Sequence, residues 1–485
     1  LALKLKPLRQ GARMSDNESL EFRQAEEAIE ARSHDFKREL GLSDLVLTQI
    51  LFIVGLPWVG VAAKQGPSHI LLWLTAIFLF YLPSAATVIY LNSIMPLEGG
   101  VYQWAKLGFN EFTGFLTGWN LWLFAILNTS EIGLQVTEYL QYVFGPKVTV
   151  ISENPVFTVL LNILLLAFLV FLSIRGLSLG KLVHKLGGIL MLLTFAALIL
   201  LPLLHGNFGN LIRSFRIETP VLSIMSLNLL GKMGFGALGG FEYVAIHAGE
   251  CRDPIRSIGR SVLIAAPVIA LMFIIGTQSI LWLVPQASVD LIAPIPQVLS
   301  EGFKAFGFLA PLGSLLILGL LTIRVAQASF AFGGNTRLPM VAGWDRLLPQ
   351  WFTALHPKYR TPVNSIVFVG LTTLVLSIAG MIGVGRQEAF QLLWNASGVF
   401  YASTYLVMFA IPLIGLRSAQ VRRPLWLRLA ALSGFLMTAL YISLSIVPIV
   451  QVENRLGFAL KIGGLIIGAN LLAAAWYFII QRRRG

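Results

Sequence analysis

The chain is patterned in long apolar blocks joined by short polar connections. The blocks fall near residues 43–63, 69–95, 113–142, 156–174, 183–204, 221–247, 260–284, 309–335, 363–384, 389–415, 425–449 and 457–480. Each approaches the roughly 20 residues that an α-helix needs to cross the hydrocarbon core of a bilayer. The pattern predicts an all-α integral membrane protein of about 12 transmembrane helices, and an even number of crossings puts both termini on one side.

Composition agrees. Of 485 residues, 56% are hydrophobic and 12% charged, with a mean hydropathy of +0.77, whereas a soluble domain is roughly one quarter charged. A soluble enzyme is excluded, because its outside could not be covered. The net charge of +13 would suggest nucleic acid in a soluble chain, but here the basic residues stand between apolar blocks, so the lipid bilayer is the partner expected and nucleic acid is not. With the N-terminus inside, the inner segments hold 26 Lys and Arg, the outer loops 8, and Lys232 and Arg324 lie within spans. The positive-inside rule then places both termini in the cytoplasm and the protein in the plasma (inner) membrane. Cys251 is the one cysteine and the histidines show no metal-ligand spacing, so neither metal nor cofactor is expected. Residues 1–42 read as a cytoplasmic arm with a short helix over Glu21 to Glu39, and Met14 as the native start; residues 481–485 read as a cytoplasmic tail.

Two spans carry breaks. The first contains Val54-Gly55-Leu56-Pro57-Trp58-Val59-Gly60, in which Pro57 lacks a backbone donor and Gly55 and Gly60 loosen the helix. The sixth contains four glycines within Gly234-Phe235-Gly236-Ala237-Leu238-Gly239-Gly240, followed by Phe241-Glu242. In a membrane such breaks persist where the freed backbone groups line a cavity or meet a ligand. These spans open two five-span halves, 43–204 and 221–415, with residues 425–480 as an added pair. Paired interrupted helices at matching places point to an inverted-repeat transporter with its site at the breaks. Gly234-x-Gly236-x-x-Gly239 also matches a dinucleotide fingerprint, but it lies inside an apolar span with no strand before it.

Four stretches resemble the amino acid-polyamine-organocation superfamily of permeases. They are Pro96-Leu97-Glu98-Gly99-Gly100-Val101-Tyr102 after span two; Gly240-Phe241-Glu242 with Ala248-Gly249-Glu250-Cys251-Arg252-Asp253-Pro254 at span six; Arg337 with Leu348-Pro349 after span eight; and His356-Pro357-Lys358-Tyr359-Arg360-Thr361-Pro362. Within that superfamily, Gly55-Leu56-Pro57-Trp58 with Trp119 and Trp122 is similar to the polyamine-uptake branch. The resemblance implies a LeuT-type fold, a 5+5 inverted repeat with discontinuous helices 1 and 6, and secondary transport of amino acids or amines by alternating access, the proton being the coupling ion expected or exchange the mode. A polyamine or organic-cation permease is the alternative. The resemblance also implies a site made largely of backbone. N–H groups around Leu56 to Val59 would face a carboxylate and carbonyls around Phe235 to Leu238 an amine, with Gly239, Gly240, Asn128 and Tyr401 as further candidate contacts. Where many members of the superfamily carry an aromatic gate, this chain has Gly236 beside Phe235, which implies a roomier pocket or a gate supplied by another helix. Where sodium-independent members carry a lysine in span five, it has Met191.

Three ionisable residues fall near mid-span: Glu131, Glu242 and Arg324. An isolated charge there costs several kcal/mol, so partners are expected. Spans three and eight run in opposite directions, which makes Glu131 and Arg324 a candidate pair. Three readings of it stay open: a structural ion pair, a proton switch, or an arginine that grips an acidic substrate group. Glu242 adjoins the break in span six and is a candidate proton sensor or organiser of the site.

Overall fold

The computed structural model describes residues 38–145, 148, 154–204, 217–380, 386–416, 423–449 and 454–484. The start at Met14 and all but the last two residues of the expected Glu21–Glu39 helix lie outside the described residues.

The first span consists of two helices, α1 (Leu42–Ile53) and α2 (Trp58–Ala63), separated where Gly55 and Pro57 interrupt the hydrogen-bond ladder. The second is α3 (Gly66–Ile94). It widens into a π-turn over Ile77–Tyr81 just before Pro83. Proline cannot bond the carbonyl four residues back, and that carbonyl, of Leu79, accepts from the Ser433 hydroxyl at 2.7 Å. A short helix α4 (Val101–Gly108) follows, then α5 (Glu111–Ser130) and α6 (Ile132–Phe144). The next two spans are α7 (Pro155–Arg175) and α8 (Leu177–Leu204).

The second half repeats the scheme. Helix α9 (Ile224–Gly231) opens into a π-turn over Lys232–Ala237, and a 3-10 stretch, Phe241–Glu250, completes the sixth span. Then come α10 (Pro254–Leu283), a short amphipathic α11 (Pro294–Lys304), α12 (Ala310–Trp344), α13 (Val363–Gly380) and α14 (Arg386–Ile414). Helices α15 (Leu425–Leu444) and α16 (Arg455–Arg484) close the chain.

Eight of these helices are long and apolar enough to cross a membrane. The other four of the twelve expected spans are the short α13 and three interrupted ones, because the third span, read from sequence as continuous, is also broken. Its break falls at Glu131, and neighbouring helices satisfy the freed backbone. Asn162 Oδ1 accepts from the Gly133 N–H at 2.9 Å and Ser377 Oγ donates to the Ser130 carbonyl at 2.8 Å. Asn162 Nδ2 in turn donates to Ser377 Oγ at 2.9 Å. An unpaired backbone group in hydrocarbon costs several kcal/mol, so these two side chains on α7 and α13 are what the break requires.

The molecule is apolar on its outside and carries polar groups within its apolar core. Leu160, Leu164, Phe168 and Phe171 form an exposed stripe on α7 at helical spacing, whereas Gln49, Asn162, Glu131, Glu242 and Lys232 are buried. That arrangement suits a lipid environment, in which the outward stripe costs nothing and the inward polar groups must find partners. Helix α5 packs against α14 and α12, and α1 against α10 and α8, so both main breaks lie at the centre of the bundle.

Candidate functional site

At the break in span one the backbone leaves the helix at Val54. The N–H of Gly55 bonds the Ile53 carbonyl at 2.8 Å and the N–H of Trp58 bonds Gly55 at 3.1 Å. Among the described residues the N–H groups of Leu56 and Val59 make no hydrogen bond. The four-residue backbone donor set expected from sequence therefore reduces to two, since Pro57 has no N–H and Trp58 is engaged. On the carbonyl side, Gln327 of α12 reaches across. Its Nε2 donates to the carbonyl oxygens of Leu51 at 2.7 Å and Val54 at 2.9 Å.

Gln327 is held from behind. Arg324, one turn earlier on α12, donates through one guanidinium nitrogen to Gln327 Oε1 at 2.7 Å and through another to Glu131 Oε1 at 2.8 Å. The pair expected from helix direction and depth is thus formed, and it belongs to a longer chain: the break of span three, Glu131, Arg324, Gln327, the break of span one. Sequence reasoning found the two charges and missed Gln327, although its spacing of three residues from Arg324 put both on one helix face. Glu131 Oε2 and Arg324 Nε have no partner among the described residues, and neither do the side-chain polar atoms of Gln135 and the hydroxyl of Tyr139. These lie at four-residue steps from Glu131 along α6, so a polar stripe leads away from the ion pair.

In span six, Gly240 has φ +138, a conformation that side-chain-bearing residues rarely adopt. Its N–H donates to the Tyr405 hydroxyl oxygen at 2.6 Å. Tyr405 and Tyr401, one turn apart on α14, each donate to the Glu242 carboxylate. Tyr401 also stacks on Phe124 with ring centroids 4.0 Å apart. It therefore holds Glu242. The Phe235 carbonyl, expected to face an amine, accepts from the Gly239 N–H at 3.0 Å, and the Phe235 ring turns toward Phe80, Tyr405 and Tyr441.

The space beside Gly236 is taken by span one. A Cβ on Gly236 would stand 2.8 Å from Trp58 Cζ2, and one on Gly55 2.8 Å from Trp58 Nε1. Trp58 meets Trp394 of α14 edge to face at 5.2 Å. Trp58 of span one therefore fills the space that a side chain at position 236 would need. Asn128 is half-buried and has no hydrogen bond among the described residues.

A small cavity remains on the far side of Trp58, lined by Pro57, Trp58, Lys232, Gln391 and Trp394 among others. Lys232 is a buried basic residue that sequence reasoning counted within a span and did not pursue. Its Nζ donates to Asn395 Oδ1 at 2.8 Å and lies 5.8 Å from the centroid of the Tyr441 ring.

At the face where α1 begins, polar connections seal the bundle. Arg337 at the end of α12 pairs with Glu250 and lies 3.7 Å from Glu98. Glu98 Oε2 accepts from the Gly249 N–H at 2.8 Å, and Tyr102 and Lys106 both reach Asp345, each at 2.7 Å. Residues of three of the resemblance motifs, Glu98, Glu250 and Arg337, therefore meet in space. Burial, reinforced by the Glu250 charge and opposed by Arg337, pushes the Glu98 carboxyl up to about 8.

Interrupted first and sixth spans about a bundle centre, with buried charges at the breaks, define a LeuT-type membrane transporter. A family model described as "Amino acid permease" matches residues 40–467. The chain belongs to that amino acid permease family of the amino acid-polyamine-organocation superfamily, and is a multi-pass membrane transporter, not an enzyme. It is 24% identical to an uncharacterised transporter of Legionella pneumophila, over 80% of this chain and 83% of the other. It is 24% identical to the chloroplastic cationic amino acid transporter 7 of Arabidopsis thaliana, over 62% of this chain and 54% of that longer protein. It is 23% identical to the branched-chain amino acid permease BcaP of Bacillus subtilis, over 74% and 79%. The fold matches MhsT, solved in complex with L-phenylalanine, with a TM-score of 0.57 at 13% identity, covering 84% of this chain and 98% of that one. The polyamine branch finds no support in these relatives.

Proposed function

We propose that the protein is a secondary active transporter that moves amino acids by alternating access, coupled to protons or working by exchange. Its site comprises the broken backbone of spans one and six, with the α-carboxylate on the free N–H groups of Leu56 and Val59 at the start of α2, where the helix dipole also favours an anion. Both termini are assigned to the cytoplasmic side of the plasma (inner) membrane from the distribution of basic residues. The boundaries of the two repeats, 43–204 and 221–415, belong to the same proposal.

The observation that carries it is the chain from Glu131 through Arg324 and Gln327 to the carbonyls of Leu51 and Val54. Those two oxygens, which a coupling cation could claim, already accept from Gln327, while Met191 stands where the resemblance implies a lysine. Among Glu131, Arg324 and Gln327 the titratable acid is Glu131. Protonating it releases Arg324, and Arg324 positions the amide that holds the break of span one, so a proton at Glu131 and the shape of the substrate site are linked. Glu242, held by Tyr401 and Tyr405 against the break of span six, is a second buried acid, on the other repeat.

The test is transport by the purified protein in liposomes. Glu131→Gln is expected to abolish uptake driven by a pH gradient and to spare exchange of labelled for unlabelled amino acid; equal loss of both would leave the pair a purely structural role. Recovery of the labelled substrate unchanged inside the vesicles separates transport from chemistry.

A further inference from the structure

Lys232 stands outside the coupling chain. It is 1% exposed, and among the described residues no charged side chain is close enough to act on it. Its partners are one amide oxygen and one ring face. As a strut between α9 and α14 alone it makes poor physical sense. A neutral donor such as glutamine would bond Asn395 without the desolvation cost of a buried ammonium, which runs to several kcal/mol when no counter-charge is present. The same amide has a donor to spare, since Asn395 Nδ2 has no partner among the described residues. Lys232 lines the cavity with Pro57, Trp58, Gln391 and Trp394, and Pro57 and Trp58 stand in sequence between the two free N–H groups of span one. A ligand that brings a carboxylate into this cavity supplies the missing charge; one that brings an ammonium adds a second positive charge in a medium of low dielectric.

We infer that Lys232 is an anion-binding subsite that sets the charge preference of the permease, favouring acidic amino acids, whose second carboxylate it pairs, and rejecting those with a cationic side chain. The inference rests on the amino acid transport proposed above, and it separates this chain from the cationic amino acid transporters to which it is similar.

Uptake of radiolabelled glutamate, leucine and lysine by the full chain in liposomes of neutral lipid tests it. The expected result is glutamate taken up at least about tenfold more efficiently than lysine, because a like charge placed at a buried cation costs several kcal/mol. Lys232→Met and Asn395→Asp are each expected to shrink that ratio at least about tenfold, and Lys232→Arg to keep it. Asn395→Asp places a carboxylate at the existing 2.8 Å contact, so it neutralises the subsite with the lysine in place and serves if Lys232→Met fails to fold. Equal handling of glutamate and lysine by the wild type, or a ratio unchanged in the variants, overturns the inference while leaving amino acid transport standing. Transport of none of the three overturns both.

Discussion

The indole of Trp58 occupies the volume that a side chain on Gly236 would need, with Cζ2 2.8 Å from where a Cβ would stand. A bulky residue on one broken span and its absence on the other are two halves of a single contact. Gly236→Ala is expected to cost about 1–3 kcal/mol, the usual penalty for overpacking a filled site, and to impair transport. Combining it with Trp58→Phe should return much of the stability. Melting curves of the two single variants and the double variant check this; additive losses would show that the residues do not share the space.

The buried pair Glu131–Arg324 can be separated into structure and coupling by a second cycle. Arg324→Met leaves a carboxylate buried without its cation and is expected to cost about 3–5 kcal/mol, whereas Glu131→Leu combined with Arg324→Met replaces both charges by apolar groups and should regain most of that loss. Thermal melting reads the first effect. The double variant should still lack pH-driven uptake, and its retention would remove the pair from the coupling mechanism.

Gln327 is the residue through which the pair reaches span one. Gln327→Leu strips donors from the carbonyls of Leu51 and Val54, and each oxygen left unpaired in the interior costs about 1–3 kcal/mol. A fall in melting temperature together with loss of transport is expected, with Gln327→Asn, too short to span the same gap, intermediate at best. Wild-type transport in Gln327→Leu would break the proposed link between Arg324 and the break.

The contact network at the face where α1 begins should respond to pH through Glu98. Its carboxyl is pushed from 4.5 up to about 8 by burial and by Glu250, so between those values the folded protein keeps a proton that the unfolded chain gives up. Stability from this group is therefore full in acid, falls as pH rises through that window, and levels off above about 8. Glu98→Gln, which preserves the acceptor for the Gly249 N–H, is expected to flatten that part of a melting-temperature profile taken from pH 5 to 9. An unchanged slope would assign the pH dependence to another group.

The membrane class, the number of spans and the breaks at Pro57 and at Gly239-Gly240 were legible in the sequence, because each follows from local chemistry: twenty apolar residues cross a bilayer, proline lacks a donor, and glycine permits the φ of +138 found at Gly240. The pairing of Glu131 with Arg324 was legible too, since an uncompensated charge at mid-membrane is too costly to stand alone. The break at Glu131 was not. No proline or glycine cluster marks it, and it persists because Asn162 and Ser377, far away in sequence, satisfy the backbone there.

Tertiary structure alone decided which polar groups are engaged by one another. Tyr401 supports Glu242, and the Phe235 carbonyl accepts from the Gly239 N–H. Gln327 and Lys232 were each a single polar residue in an apolar helix, with nothing in the local sequence to show that one would cap span one and the other would lack a counter-charge. The sequence alone determined where charge and helix breaks occur, because those are properties of single residues and their neighbours. Which donor meets which acceptor depends on how distant helices pack, and the high cost of unpaired polar groups in a membrane makes that pairing the feature on which the proposed site rests.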